Sequence, residues 1–415
     1  MATTRLDNTF VPVEVVSNCQ SNSRPRIRRV PCILRGIEKN KRCYEPIVVS
    51  IGPFHHGKPE FQFLEQLKIE LEQQFISDMG CDLFPNFDEV AMRAKDCYDW
   101  RTLTELPNDV FKRMMFRDGC FILHFIHCMV ENRAIGTKMK TDQRVFVLRD
   151  LFLLENQLPF IVLKELMSLK FGEIKSKELI ANFIRNQTVM PSNPQSQQDS
   201  TQPLHLLDLL QKELIRATRD GGDTTAMELD DWYSFRAITE LRESGIECKR
   251  SNSCSLKDIS FKSGIIKGYL LLPPIVIDDS TQTKLLNMVA YETCPDTPDD
   301  FTVTSYICFL DSLIDSAEDV KELRSKRILL NVLGSDQQVA DLFNDLTIDL
   351  VPHPELYRSV KSGIEKHYRS YLRIWMVNLC KIYFGNPWSV IAFVAAAMAL
   401  LLTTVQTYYT IFPRK

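Results

Sequence analysis

No CxxC pair occurs in this chain, and it carries no HExxH, GxSxG, P-loop, dinucleotide-binding or protein-kinase phrase. Those absences remove the best-marked metal, redox and enzyme classes. Neither sign of charge dominates: 50 Lys and Arg stand against 53 Asp and Glu, a net charge of −3, so composition gives no reason to expect a nucleic-acid partner. No internal repeat is seen. The N-terminus, MATTRLDNTFVPVEVVSNCQ, has no unbroken apolar core behind a basic start and does not read as a secretory signal. Twelve cysteines without a dense, regular framework read as reduced and mostly buried thiols.

Long hydrophobic runs are missing until the C-terminal end. There, Trp388 to Phe412 passes without one formal charge and only Pro413, Arg414 and Lys415 follow. At 1.5 Å per residue such a helix spans roughly 37 Å, against a hydrocarbon core of ~30 Å, so it crosses with modest tilt. The expectation is a single-pass anchor that inserts after synthesis. Lys366, Arg369, Arg373 and Lys381 upstream outnumber Arg414 and Lys415 downstream, which places the large N-terminal part in the cytosol. Ala392, Ala396 and Ala399 make a small-residue face through which two anchors could form a homodimer.

Ahead of the anchor the pattern is mainly α-helical, in one large domain with 45% apolar residues to fill a core. Residues 1–26 are polar and read as disordered, ending in the run Arg24, Arg26, Arg28, Arg29, taken as a solvated edge. Phe63, Leu67, Ile69, Leu71 and Phe75 predict an amphipathic helix over 60–78, and another covers 109–132. A third starts near Thr141 and runs through VFVLRDLFLLENQ until Pro159 kinks or restarts it. HLLDLLQKELIRA at 205–217 is a short apolar helix between polar loops at 187–203 and 219–231. Residues 246–278 lean to β, as a small meander or paired hairpins. Ser335 and Gln338 have capping-box spacing. A long amphipathic helix from Glu355 to Phe384 leads to the anchor, broken by Asn386-Pro387.

Few residues look chemical. Adjacent His55 and His56 on a Gly- and Pro-flanked turn have the type needed for metal binding or proton transfer, with an acid such as Asp208 as partner, although a simple turn, one imidazole donating to backbone and the other facing solvent, is the favoured reading. Cys120, His124 and Cys128 lie at i, i+4 and i+8 on one helix, about 12 Å end to end, too far to converge on one tetrahedral ion. No metal or other cofactor is implied. Glu155, Asn156 and Gln157 interrupt an apolar stretch just before Pro159, where they can satisfy backbone carbonyls or bind a ligand. Asp311 and Asp315 are paired carboxylates by spacing alone.

RRVPCILR at 28–35, YEPIVVSIGPFHHGKPEF at 44–61, RDGCFIL at 117–123, DLFLLENQLPF at 150–160 and FGNPWSVIAFVAAAMALLLTTVQTYY at 384–409 occur together and in this order. In this the chain resembles the plant "domain of unknown function 247" family over roughly residues 27–412, with the family domain at 27–384 and the anchor at 388–412. The family it resembles has no established enzymatic activity. Some grass members of that family are pollen-side determinants of self-incompatibility, so the resemblance implies a recognition module for a protein or peptide partner, held at the membrane. The competing reading is a membrane-tethered enzyme built on His55 or His56. His124 stands where related chains are expected to carry Glu. The sequon Asn186-Gln187-Thr188 tests the orientation: with the domain in the cytosol, Asn186 stays unmodified, and an endoglycosidase-sensitive mass shift would reverse the topology.

Overall fold

The computed structural model describes residues 26–80, 87–99, 106–131, 138–188, 202–216, 236–264, 267–368 and 387–411. It is mainly helical, with a few short strands and a separate C-terminal apolar helix. The expected disorder before residue 26, most of both polar loops, residues 369–384 of the long helix, and Phe412 lie outside the described residues.

The first half is built around one helix, α4, Asn108–Val130, after α1 (Cys32–Arg35), α2 (Gln62–Met79) and α3 (Asp88–Lys95). Its buried residues run from Phe111 through Phe116, Phe121 and Phe125 to Cys128 and fall on every side, because other helices cover it all round. Those neighbours are α2, α3, α6 (Phe160–Phe171) and α7 (Glu173–Arg185). Between them comes α5, Thr141–Asp150. On α2 the buried stripe is Leu64, Leu67, Lys68, Leu71, Glu72 and Phe75. Phe63, assigned to that stripe from sequence, is 65% exposed. The true stripe begins one residue later and includes two charged side chains, which hid it.

The second half continues with α8 (Leu206–Ile215), α9 (Ile238–Glu243), α10 (Thr281–Glu292), α11 (Thr302–Asp311), α12 (Ala317–Ser325), α13 (Asp336–Leu346) and α14 (Arg358–Tyr368). Ser335 accepts from the Gln338 N–H at 3.2 Å while Gln338 accepts from the Ser335 N–H at 3.3 Å, the capping box read from spacing. Five strands join in: β1 (Ile246–Arg250), β2 (Ser260–Ser263), β3 (Gly268–Leu272), β4 (Ile275–Ile277) and β5 (Leu329–Asn331). β2 and β3 form the expected hairpin, while β1 pairs with β3 in parallel. β4 leaves this sheet to pair in parallel with β5, some fifty residues on, which local patterning could not show. One apolar cluster runs from Ile27 to Ile364 through both halves.

Two sequence expectations fail here for local reasons. Arg28 is no solvated edge: its guanidinium meets Asp296 at 2.6 Å and Asp99 at 3.3 Å, beside a parallel bridge from Ile27 to Tyr98. And α5 stops at Asp150 instead of running on towards Gln157. The Asn156 and Gln157 side chains donate to the carbonyls of Asp150, Leu151 and Leu153, acceptors that a continuing helix would have used itself. The chain turns through a short 3₁₀ segment, Leu154–Asn156, and α6 starts fresh after Pro159.

α15, Pro387–Ile411, begins at the proline, whose missing N–H is harmless in a first turn. Its segment Ile391–Tyr408 is long and apolar enough to span a membrane, and none of that window is buried.

Gly119 marks where α4 and α6 approach most closely. A Cβ there would meet Leu166 Cδ1 at 2.4 Å and Val162 Cγ1 at 3.1 Å. Alanine gains about 1 kcal/mol over glycine in an open helix, whereas overpacking a core costs about 1–3 kcal/mol. Gly119→Ala is therefore expected to destabilise the protein by up to about 2 kcal/mol in urea denaturation. A stabilised variant would show that α6 gives way freely.

Candidate functional site

The most polar part of the interior surrounds an irregular segment, residues 44–57, that crosses the first half without a neighbouring strand. Buried backbone amides need partners. Here side chains supply them. The Asp150 carboxylate accepts from the N–H groups of Ile47 (2.9 Å), Val48 (2.8 Å) and Val49 (3.2 Å). Asn156 Oδ1 accepts from Ile51 at 2.7 Å, and its Nδ2 donates to Val49 O at 3.0 Å. Asp118, at the middle of α4, accepts from Gly52 at 2.8 Å. Lys68 of α2 donates to Asp118 at 2.7 Å, to Glu65 at 2.5 Å, and to Ser50 O.

Gly52 is required by this arrangement. Its φ is +70°, and a Cβ would lie 2.8 Å from both Gln157 O and the Tyr98 hydroxyl. That hydroxyl itself donates to Gln157 O at 2.8 Å, and Gln157 Oε1 accepts from Leu207 at 3.1 Å, tying in α8. Asn287 of α10 reaches in as well, accepting from Leu154 N–H and donating to Cys43 O, both at 2.8 Å. The cradle thus joins α2, α4, α5, α8 and α10.

At its outer end the cradle becomes a charged cluster. Glu155 accepts from Val30 N–H at 2.7 Å, and Arg35 Nη2 lies 2.7 Å from the same oxygen without the alignment of a hydrogen bond. Arg35 also donates to Glu45 at 2.7 Å. His55 is 3% exposed, 3.7 Å from Glu45 and 3.8 Å from Glu155. The Lys58 ammonium, 3.0 Å from His55 Nδ1, can only donate, so Nδ1 accepts and Nε2 carries the proton towards Glu155. Arg35 Nη2, His55 Nε2 and Glu155 Oε2 are buried in this ion cluster without an aligned hydrogen bond among the described residues.

Burial, reinforced by Lys58, pushes the His55 imidazole down to about 4, while burial pushes the Asp150 carboxyl up to about 6 against its backbone donors. Both groups are poised to be neutral over part of the acid range.

The sequence candidates therefore separate. His55, Glu155, Asn156 and Gln157 come together in and beside the cradle, whereas His56 is exposed. Asp208 is not the acid beside His55. It sits in the first turn of α8, where its carboxylate accepts from Leu204 N–H and Lys212, and the histidine next to it is His205. Asp315 gives its N–H to Asp319 and serves the start of α12. Cys120, His124 and His127 line a cleft of about 20 Å³ with Phe75, Lys170 and Phe171. That admits about one water, far below the ~300 Å³ where small-molecule sites begin.

Asp118, Asp150, Lys68, Arg35 and Glu45 were missed as site residues. A signal existed for Lys68: a lysine at i+4 from Leu64 and i−3 from Leu71 sits inside a buried stripe and needs a buried acid.

This scaffold belongs to a plant family. A family model described as "Plant protein of unknown function" matches residues 27–402, and the chain is a member of that family, domain of unknown function 247. It is similar to "UPF0481 protein At3g47200" of Arabidopsis thaliana, 27% identical over 91% of this chain and 85% of that protein. It is also similar to "Putative UPF0481 protein At3g02645" of the same plant, 22% identical over 89% and 87%. No solved structure matches.

The lowered His55 value sets a pH window. Buried neutral histidine must take up a proton as pH falls from its ordinary 6.5 towards about 4, and stability is lost across that range. Buried His205, also pushed down to about 4, acts in the same sense, and Asp150, raised to about 6, in the opposite one. Comparison with His55→Gln isolates the first effect: between pH 6.5 and 4 the native chain should lose up to about 3 kcal/mol relative to the variant in urea unfolding. Parallel pH profiles would show that His55 is not held neutral.

Proposed function

We propose that this protein is a membrane-anchored recognition module: a rigid helical domain, held in the cytosol by α15, that binds a protein or peptide partner. The observation that carries the reading is the contrast between α15 and the rest. An apolar helix of bilayer length leaves its Ile391–Tyr408 window wholly unburied, which in water would be costly, at about 25 cal/mol for each Å² of apolar surface left wet. A bilayer removes that cost.

Recognition is favoured over turnover by how the polar groups are used. Asp118, Asp150, Asn156 and Gln157 are occupied with backbone, and the enzyme-like His55 lies beneath Arg35 and Lys58. Such a domain suits surface loops that carry specificity on a fixed frame. The polar loops near 187–203 and 219–231 are the places for it. Ala392, Ala396 and Ala399 are all exposed on α15, which suits a homodimer through that face.

Fractionation tests the reading. The full chain in plant cells should stay in the membrane pellet through an alkaline carbonate wash, while a chain lacking residues 387–411 should move to the supernatant. Proximity labelling from the anchored protein should then enrich a reproducible set of cytosol-facing proteins. Recovery of the full chain in the soluble fraction would end the membrane reading, and a labelling pattern equal to that of the anchor alone would end the recognition reading.

A further inference from the structure

The sheet β1-β3-β2 has two unlike faces. Ile246, Cys248, Leu270 and Leu272 turn inward and are buried, so the alternate residues point away from the core. β3 lies between the other two strands, so Glu247 and Lys262 flank Tyr269, and Lys249 and Ser260 flank Leu271. Lys249 and Lys262 are exposed, with the Lys249 ammonium 3.5 Å from the Tyr269 ring centre. Lys267, just ahead of β3, is 53% exposed and pairs with Glu247 of β1. Lys326, past the end of α12, pairs with Glu322 at 3.8 Å and lies within electrostatic reach of Glu247. Four lysines against two glutamates, Glu247 and Glu322, make a cationic face on a chain whose net charge is −3.

The place of this face in the fold matters as much as its charge. Phe261 of β2 packs beneath the sheet against Gly363 and His367 of α14. α14 is the last described helix before α15. The lysine face therefore lies over the described helix that is nearest in sequence to the apolar one.

We propose that this face rests on an anionic phospholipid surface, with Lys249, Lys262, Lys267 and Lys326 against phosphate and carboxylate headgroups. The proposal rests on the membrane reading given above. Cations held near an anionic leaflet each contribute about a fivefold preference for it, an effect that dies within a Debye length and with added salt. A nucleic-acid strand suits the face less well, because stacking needs a series of open rings and the single aromatic here, Tyr269, is covered by Lys249.

The test uses the full chain reconstituted in nanodiscs of phosphatidylcholine alone or mixed with phosphatidylserine. Lysines are labelled with a water-soluble acylating reagent and read by mass spectrometry. Labelling of Lys249 and Lys262 should fall about fivefold in the anionic discs and recover at high salt. The exposed Lys39 and Lys177, on other elements, should not change. Lys249→Glu, a surface substitution, should weaken the protection of Lys262. Equal labelling in both discs would overturn the proposal while leaving the anchor intact, as would protection by single-stranded RNA in neutral discs with none from phosphatidylserine. A chain that does not enter nanodiscs at all removes the membrane reading and this proposal together.

Discussion

The fold depends on one solution to one problem: how to carry a non-helical backbone through a helical core. Residues 47–52 have no β partner, and each buried amide left unpaired would cost about 1–3 kcal/mol, a large fraction of the stability of any domain. Asp118, Asp150 and Asn156 take five of those N–H groups, and Lys68 and Asn156 take two of the carbonyls. Because the acceptors sit on α4, α5 and the turn after α5, the segment fixes the distances among those elements. The end of α5, the φ of Gly52 and the position of the Tyr98 hydroxyl all follow from it.

Much of the helical frame was legible in the sequence. α2 and α4 appear in the 3.6-residue pattern, and the Ser335 capping box and the start of α15 at Pro387 are local signals that need no tertiary help. The failures share a cause. Lys68 and Glu72 sit in a buried stripe, so a pattern that counts only apolar residues chose Phe63 instead of Leu64. The helical pattern of VFVLRDLFLLENQ is real, but Asn156 and Gln157 compete for the carbonyls it would need. The parallel pairing of β4 with β5 spans some fifty residues and leaves no local trace.

Of the site, residue types were easier to read than partnerships. Glu155, Asn156 and Gln157 stood out as polar groups in an apolar run, and part of what they bind is the local backbone. Their longer-range partners, Val30, Val49, Ile51 and Leu207, could not be found from spacing. His55 and His56 look equivalent as text but differ completely in burial, because the turn at Gly57 sends neighbouring side chains to opposite sides. The acids beside His55 are Glu45, ten residues away, and Glu155, a hundred residues away, and no sequence interval announces either.

The cradle has a consequence for how the protein behaves when crowded against copies of itself on a membrane. Extended backbone with free amides is a template on which other chains can add, and proteins shield such edges with charge, proline or a covering element. In residues 47–52 the amides of Ile47, Val48, Val49, Ile51 and Gly52 are already consumed by side chains of the same molecule. The segment offers no row of unpaired amides, so a high local concentration on a two-dimensional surface gives it no invitation to polymerise.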